Sequence, residues 1–185
     1  MATSRLFLAL ALPEEHRRLL AGLYSDLPGF AWTPPAQLHV TLRFLAELDE
    51  DQTEALVEAL ARVHVAPFLL ALEGAGVFPP RGNPTVIWIG LGRAHPLLFQ
   101  LRQRLDDTLL ALGLDVDLRT FHPHVTLARL RPDAAPVAAA HYLKRHREFV
   151  GPEFRVTRFG LYASELTAAG PVHTLRREFT LSAAT

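Results

Sequence analysis

The chain of 185 residues contains no cysteine, which excludes disulfides, thiolate metal sites and a cysteine nucleophile. It has one lysine, Lys144, among many arginines, a bias that genome composition can produce as readily as function. It also lacks a long hydrophobic run. The apolar part of the opening MATSRLFLALALPEEH is too brief to span a bilayer. Pro13-Glu14-Glu15 follows it without the small-residue pattern of a signal-peptide cleavage site. A first β-strand and a cytoplasmic location are the expectation. Net charge is missing as well, since 19 Lys and Arg balance 19 Asp and Glu. Tight non-specific binding to a duplex needs many phosphate contacts, so a neutral chain fits it poorly. The balance is uneven: residues 1–92 sum to −4 and residues 93–185 to +4. A basic half can still guide one anionic end into a cleft.

What the chain has is apolar content, 49% by composition, and enough length for one well-buried domain. Periodicity predicts strands at Arg5–Leu12, Leu38–Leu45, Phe68–Phe78, Thr85–Leu91, Phe154–Ala163 and Val172–Leu181. Helices are predicted after Pro13, over Asp49–His64, over Pro96–Leu112 before Gly113, and within Ala134–Phe149. FAWTPPAQ reads as a turn. The tetrapeptide HVTL occurs twice, at His39–Leu42 and His124–Leu127, 85 positions apart. Each copy is followed by helix, strand, strand, which points to an internal duplication of two α+β units with mostly antiparallel pairing. No low-complexity linker separates the halves, so residues 1–185 are expected to pack as a single domain.

Strand alternation decides what the motif presents. His39 and Thr41 point one way while Leu38, Val40 and Leu42 point into the core, and His124 and Thr126 oppose Val125 and Leu127 likewise. If the two units face each other, two imidazoles and two hydroxyls converge. One neutral histidine can take a proton from water while a protonated partner gives one to a leaving oxygen. The threonine hydroxyls can donate to the oxygens of the anion that forms. No serine or cysteine sits in a nucleophile elbow, so a phosphodiester suits these groups better than an ester or peptide. Arg129 is a candidate anion clamp. His122-Pro123-His124 lacks partners at metal-ligand spacing, so no metal site is expected.

The paired motifs, the opening RLFLALALPEE, the continuations HVTLRFLAE and HVTLAR, FPPRGNPTVIWIG and LYASELTAAGPVH resemble the two-histidine phosphoesterases. Within that superfamily they are most similar to the LigT-like RNA 2′,3′-cyclic phosphodiesterases. The resemblance implies a bilobal, internally duplicated α+β fold, with two antiparallel sheets flanking a central cleft and helices outside. It implies two pseudo-symmetric lobes within the one domain. It also implies metal-independent hydrolysis of an RNA 2′,3′-cyclic phosphate to a 2′-phosphate, without a cofactor. His39 would be the proton donor and His124 the proton acceptor, with Thr41 and Thr126 on phosphate oxygens. Some relatives also join RNA ends through a 2′,5′ linkage, in a reversible ligation. The expected partner is RNA with a 2′,3′-cyclic phosphate terminus; a monomer with no membrane association is expected.

Phe44 and Arg129 stand five residues past each histidine, where the resemblance makes them base-stacking and phosphate contacts. Alternation objects, because an odd offset puts them on the opposite face unless a bulge turns them. Trp32 and Trp88 read as core packing, KRHRE at 144–148 as a solvated helix end, and His173, in VHTL, as having no catalytic role. Tyr162 enters as a cleft-lining residue by resemblance only. Rival substrates are small cyclic nucleotides, 2′,5′-oligonucleotides and ADP-ribose cyclic phosphate. A non-catalytic RNA-end binder is a further alternative, although such a binder would more naturally use arginines than paired imidazoles.

Overall fold

Leucines at 6, 8 and 10, all buried, make the first strand of the computed structural model, which describes residues 4–92, 95–117, 119–167 and 170–183. That strand is β1, Ser4–Ala11, and Pro13 starts helix α1, Glu14–Ala21. A three-residue strand β2, Phe30–Trp32, leads through a short 3-10 turn into β3, His39–Leu48. Helix α2, Glu50–Leu60, opens on a capping box in which Asp49 and Gln52 satisfy each other's backbone N–H groups. Strands β4, Phe68–Phe78, and β5, Val86–Leu91, form a hairpin. Helix α3, Pro96–Ala111, begins on the expected proline and is followed by Gly113 at φ +73°. Strand β6, His124–Leu130, helix α4, Pro136–His146, and strands β7, Val150–Val156, β8, Arg158–Thr167, and β9, Gly170–Thr180, complete the order.

Among the described residues all strand pairs are antiparallel, as expected of this α+β class. The strand order is β7-β4-β5-β6-β3-β1-β8-β9. The two antiparallel halves, β7-β4-β5-β6 and β3-β1-β8-β9, meet edge to edge through one residue pair, Val40 with Val125. One face carries the core, where Leu8, Leu10, Val40, Val125, Ile87 and Ile89 join Leu20, Leu56, Leu60, Leu98, Leu105 and Tyr142 from the helices. By alternation, the opposite face carries His39, Thr41, His124 and Thr126. Among the described residues no helix is long and apolar enough to cross a membrane.

Three details differ from the sequence reading. FAWTPPAQ contains β2, because β6 separates from β3 beyond Val125 and offers a free edge that Phe30–Trp32 pairs with at Ala128–Leu130. The single strand expected over Phe154–Ala163 is two, divided at Thr157. β7 pairs with β4 in one half of the sheet, and β8 pairs with β1 in the other.

The third difference governs the cleft. Along β3, Ala9 pairs with Thr41 but Leu8 pairs with Arg43, so Leu42 is an extra residue, a β-bulge. The same irregularity recurs in β6, where Trp88 pairs with Thr126 and Ile87 with Ala128, leaving Leu127 extra. After each bulge the alternation reverses. Leu42 and Arg43 are both buried, as are Leu127 and Ala128. Arg43, which strict alternation puts on the His39 face, instead turns inward. It is 4% exposed and grips Asp106 of α3 with two bonds, Nε to Oδ1 at 2.8 Å and Nη2 to Oδ2 at 2.5 Å, and it also bonds the Asp117 carbonyl.

Removing one partner of a buried pair strands the other charge. Asp106→Ala is therefore expected to cost about 3–5 kcal/mol in urea-unfolding stability. A loss below about 1 kcal/mol, typical of exposed pairs, would contradict this account of Arg43.

Candidate active site

Each motif histidine is aimed by a carbonyl two residues before it. His39 Nδ1 bonds the Gln37 carbonyl at 2.7 Å, and His124 Nδ1 bonds the His122 carbonyl at 2.6 Å. A carbonyl only accepts, so both Nδ1 atoms carry hydrogen and both neutral rings leave Nε2 bare. His39 Nε2 lies 3.1 Å from Thr41 Oγ1, whose hydroxyl donates to it.

The Val40–Val125 pair sets the register between the motifs. It puts His39 beside Thr126 and Thr41 beside His124, on the same face of the sheet. The histidines are then diagonal neighbours, a separation of roughly 7–8 Å between backbones.

Aromatic rings wall the cleft. Phe7 lies buried beneath His39, Phe44, Tyr162 and His173, at centroid distances of 5.0, 6.1, 5.3 and 4.8 Å. On the other side Phe78 meets His124 edge-on at 5.0 Å, and Trp88 meets His122 at 4.8 Å. Both walls use glycine to let a ring lie flat. A Cβ on Gly76 would come within 2.1 Å of the Trp88 ring, and one on Gly160 within 2.6 Å of the Tyr162 ring.

This enclosure holds the imidazoles neutral. Burial pushes His39 down to about 4, offset in part by the Gln37 carbonyl bond and reinforced by the nearby charges of His173 and His124. The two motif histidines thus share one electrostatic neighbourhood. Burial also lowers His124, with the His122 ring adding to the effect. His173 is lowered first by burial and then by Arg129, which faces it from the other half of the sheet.

The family model of the 2′-5′ RNA ligase superfamily matches residues 12–167. The chain belongs to that superfamily. A curated RNA 2′,3′-cyclic phosphodiesterase of Thermus thermophilus is 37% identical over 188 positions, covering 96% of this chain and 90% of the relative. The protein of the same name from Escherichia coli is 29% identical, covering 96% of this chain and 97% of its own. A crystal structure from Thermus thermophilus matches with a TM-score of 0.81 at 31% identity, covering 98% of this chain and 100% of that one. E. coli LigT complexed with NADP+ matches at 0.78 and 26% identity, covering 98% and 99%. Within the superfamily the chain is therefore a LigT-like two-histidine phosphoesterase.

The structure brings all six sequence-designated residues to one face of the sheet. His39, Thr41, His124 and Thr126 lie there by alternation, and the two bulges add Phe44 and Arg129. Phe44 is 69% exposed, and Arg129 is exposed and forms no ion pair among the described residues. Trp32 does pack against the core, stacked on Tyr24 at 4.7 Å. Trp88, read from sequence as core, instead stands on the cleft face, because it pairs with Thr126. His173, read as bystander, meets His39 edge-on at 5.3 Å. Phe7, Phe78 and His173 reach the cleft through strand pairing, which no local string announces. Tyr162 lines the cleft, as the resemblance implied. Among the described residues no three His, Cys, Asp or Glu group as metal ligands.

His39 binds a proton at pH 5 when unfolded but not when folded. Its contribution to stability is complete above pH 6.5 and is lost as pH falls through about 4. The loss attributable to this ring is about 3 kcal/mol. Urea unfolding between pH 7.5 and 4 should show stability falling, and His39→Gln should flatten the fall by about that amount. Parallel profiles for the two proteins would count against a buried, neutral His39.

Proposed function

We propose that this chain hydrolyses RNA 2′,3′-cyclic phosphate ends to 2′-phosphates with His39 and His124 as its acid–base pair and without a metal ion. The observation that carries the reading is the pair of Nε2 atoms without hydrogen, each on a ring oriented by its own carbonyl, with the two rings placed as diagonal neighbours on one face of the sheet. The names of the curated relatives support the substrate class.

In this mechanism the cyclic phosphate enters between the two rings, its non-bridging oxygens received by Thr41 and Thr126 and its charge by Arg129. The terminal base stacks on Phe44. His124 Nε2 takes a proton from water as the oxygen attacks phosphorus. The bond from phosphorus to the 3′-oxygen breaks, and His39 Nε2–H delivers the proton that this oxygen needs. The product is a 2′-phosphomonoester and a free 3′-hydroxyl.

The free protein keeps His39 neutral, so the donor proton is stabilised only when the phosphate's negative charge shares the pocket. An adjacent anion raises the pKa of an imidazole, opposing the burial that lowers it. The assignment of donor to His39 and acceptor to His124 follows the superfamily pattern. Run in the same direction, with an RNA 5′-hydroxyl oxygen attacking phosphorus in the place of water and the 3′-oxygen leaving, the same groups would form a 2′,5′ linkage.

Three outcomes are expected. His39→Ala and His124→Ala should each lower turnover of a cyclic-phosphate RNA by about 10²–10⁴. Activity should survive EDTA dialysis. The pair works with one proton between two rings that are both lowered in the free protein, so the bell-shaped kcat/KM profile should peak below pH 6.5. Unchanged turnover in either alanine variant, loss of activity restored by a divalent ion, or a kcat/KM maximum well above neutrality would each refute the corresponding part.

A further inference from the structure

We propose that a second cavity, beside His122, holds the base of the nucleotide that precedes the cyclic-phosphate end, so that the protein reads two nucleotides rather than one. The inference rests on the phosphodiesterase reading above, in which the terminal base stacks on Phe44.

The cavity has a volume of about 810 Å³, and its walls include Trp88, Phe99, Phe121, His122 and Val150. The smaller cavity of about 350 Å³ that contains Thr41, Phe44 and His124 shares Phe121 and His122 with it. The two are thus neighbours across one wall. A strand whose terminal phosphate lies at His124 needs to pass only that wall to enter the second space.

Backbone register explains why the space exists. Gly90 of β5 pairs with His124 on one side and with Glu73 of β4 on the other. The absent side chain extends the cleft floor past His124; a Cβ there would lie 2.8 Å from the Glu73 carbonyl oxygen. Above this floor stand rings suited to a flat partner. Phe99 is 46% exposed and meets Phe121 edge-on at 6.0 Å, while the Arg102 guanidinium sits 4.7 Å from the centre of Phe121. Val150, 71% exposed, adds an apolar rim. Trp88 Nε1, in the same wall, is buried with no hydrogen-bond partner.

The charges favour a base over a phosphate inside the cavity. Glu73 and Glu148 line it and form no ion pair among the described residues. Two carboxylates repel a phosphate but accept hydrogen bonds from exocyclic amino groups. Arg147, the one arginine in the lining among the described residues, can meet the linking phosphodiester. Base–aromatic stacking then supplies affinity that a mononucleotide cannot gain.

The test compares adenosine 2′,3′-cyclic phosphate with the dinucleotide CpA ending in the same cyclic phosphate. The dinucleotide should show a KM on the order of tenfold lower, the value of one stacked base. Phe99→Ala, which removes a wall, and Val150→Trp, which fills the space, should each abolish that advantage while leaving kcat/KM for the mononucleotide within about twofold. Binding of the two matching 2′-phosphate products, measured by calorimetry, should show the same preference and the same loss in the variants. Equal affinity for the one- and two-nucleotide ligands in the unaltered protein would overturn the proposal. So would variants that weaken both ligands alike, or that spare the dinucleotide. If neither cyclic phosphate is turned over, the phosphodiesterase reading fails by itself, and the calorimetric ratio still decides the second site.

Discussion

The site depends on one backbone contact, the antiparallel pairing of Val40 with Val125. Each valine is buried, and each lies between a histidine and a threonine in sequence. Burying both valines on the helix side obliges four polar neighbours to share the other side. The core thus supplies the energy, and strand geometry converts it into position. Placing the chemistry on strands rather than loops gives each imidazole a fixed origin, and the carbonyls of Gln37 and His122 then fix its rotation and tautomer.

The two bulges extend that constraint. Without the extra residues at Leu42 and Leu127, Phe44 and Arg129 would point into the core. The core would then hold an unpartnered guanidinium from Arg129, and the cleft would lose its exposed ring. With them, Arg43 turns inward instead, and Asp106 receives it. The buried ion pair is the structural counterpart of an exposed phenylalanine. In β6 the inward position is taken by Ala128, which needs no partner. The halves therefore follow one backbone plan with different side-chain solutions.

Much of this was legible in the sequence. Alternation around HVTL identified the outward His and Thr, and Asp49, Pro96 and Gly113 marked helix ends through capping chemistry that acts within a few residues. Phe44 and Arg129 could be put on the cleft face only on condition of a bulge, because a bulge is imposed by the partner strand. The division of β7 from β8 left a trace that could have been read. Phe154 and Val156 are buried on even positions, whereas Phe159, Leu161 and Ala163 are buried on odd ones, a change of parity at Thr157. Trp88 and His173 left no such trace. Their faces are set by pairing with Thr126 and with Ser164, strands distant in sequence. Apolar neighbours made Trp88 look like core. The mismatch of VHTL with the H-x-T pattern made His173 look incidental.

The central claim is that two neutral imidazoles, each protonated on Nδ1, wait with bare Nε2 atoms for a single phosphate to bring their shared proton. Nitrogen NMR of the imidazole rings across a pH titration, with and without inorganic phosphate, tests it most directly. The account predicts the Nδ1–H form for both His39 and His124, titration of His39 near 4 in the free protein, and an upward shift of both rings when phosphate binds. Protonation on Nε2 in the neutral rings, or titration that phosphate leaves unmoved, would contradict it.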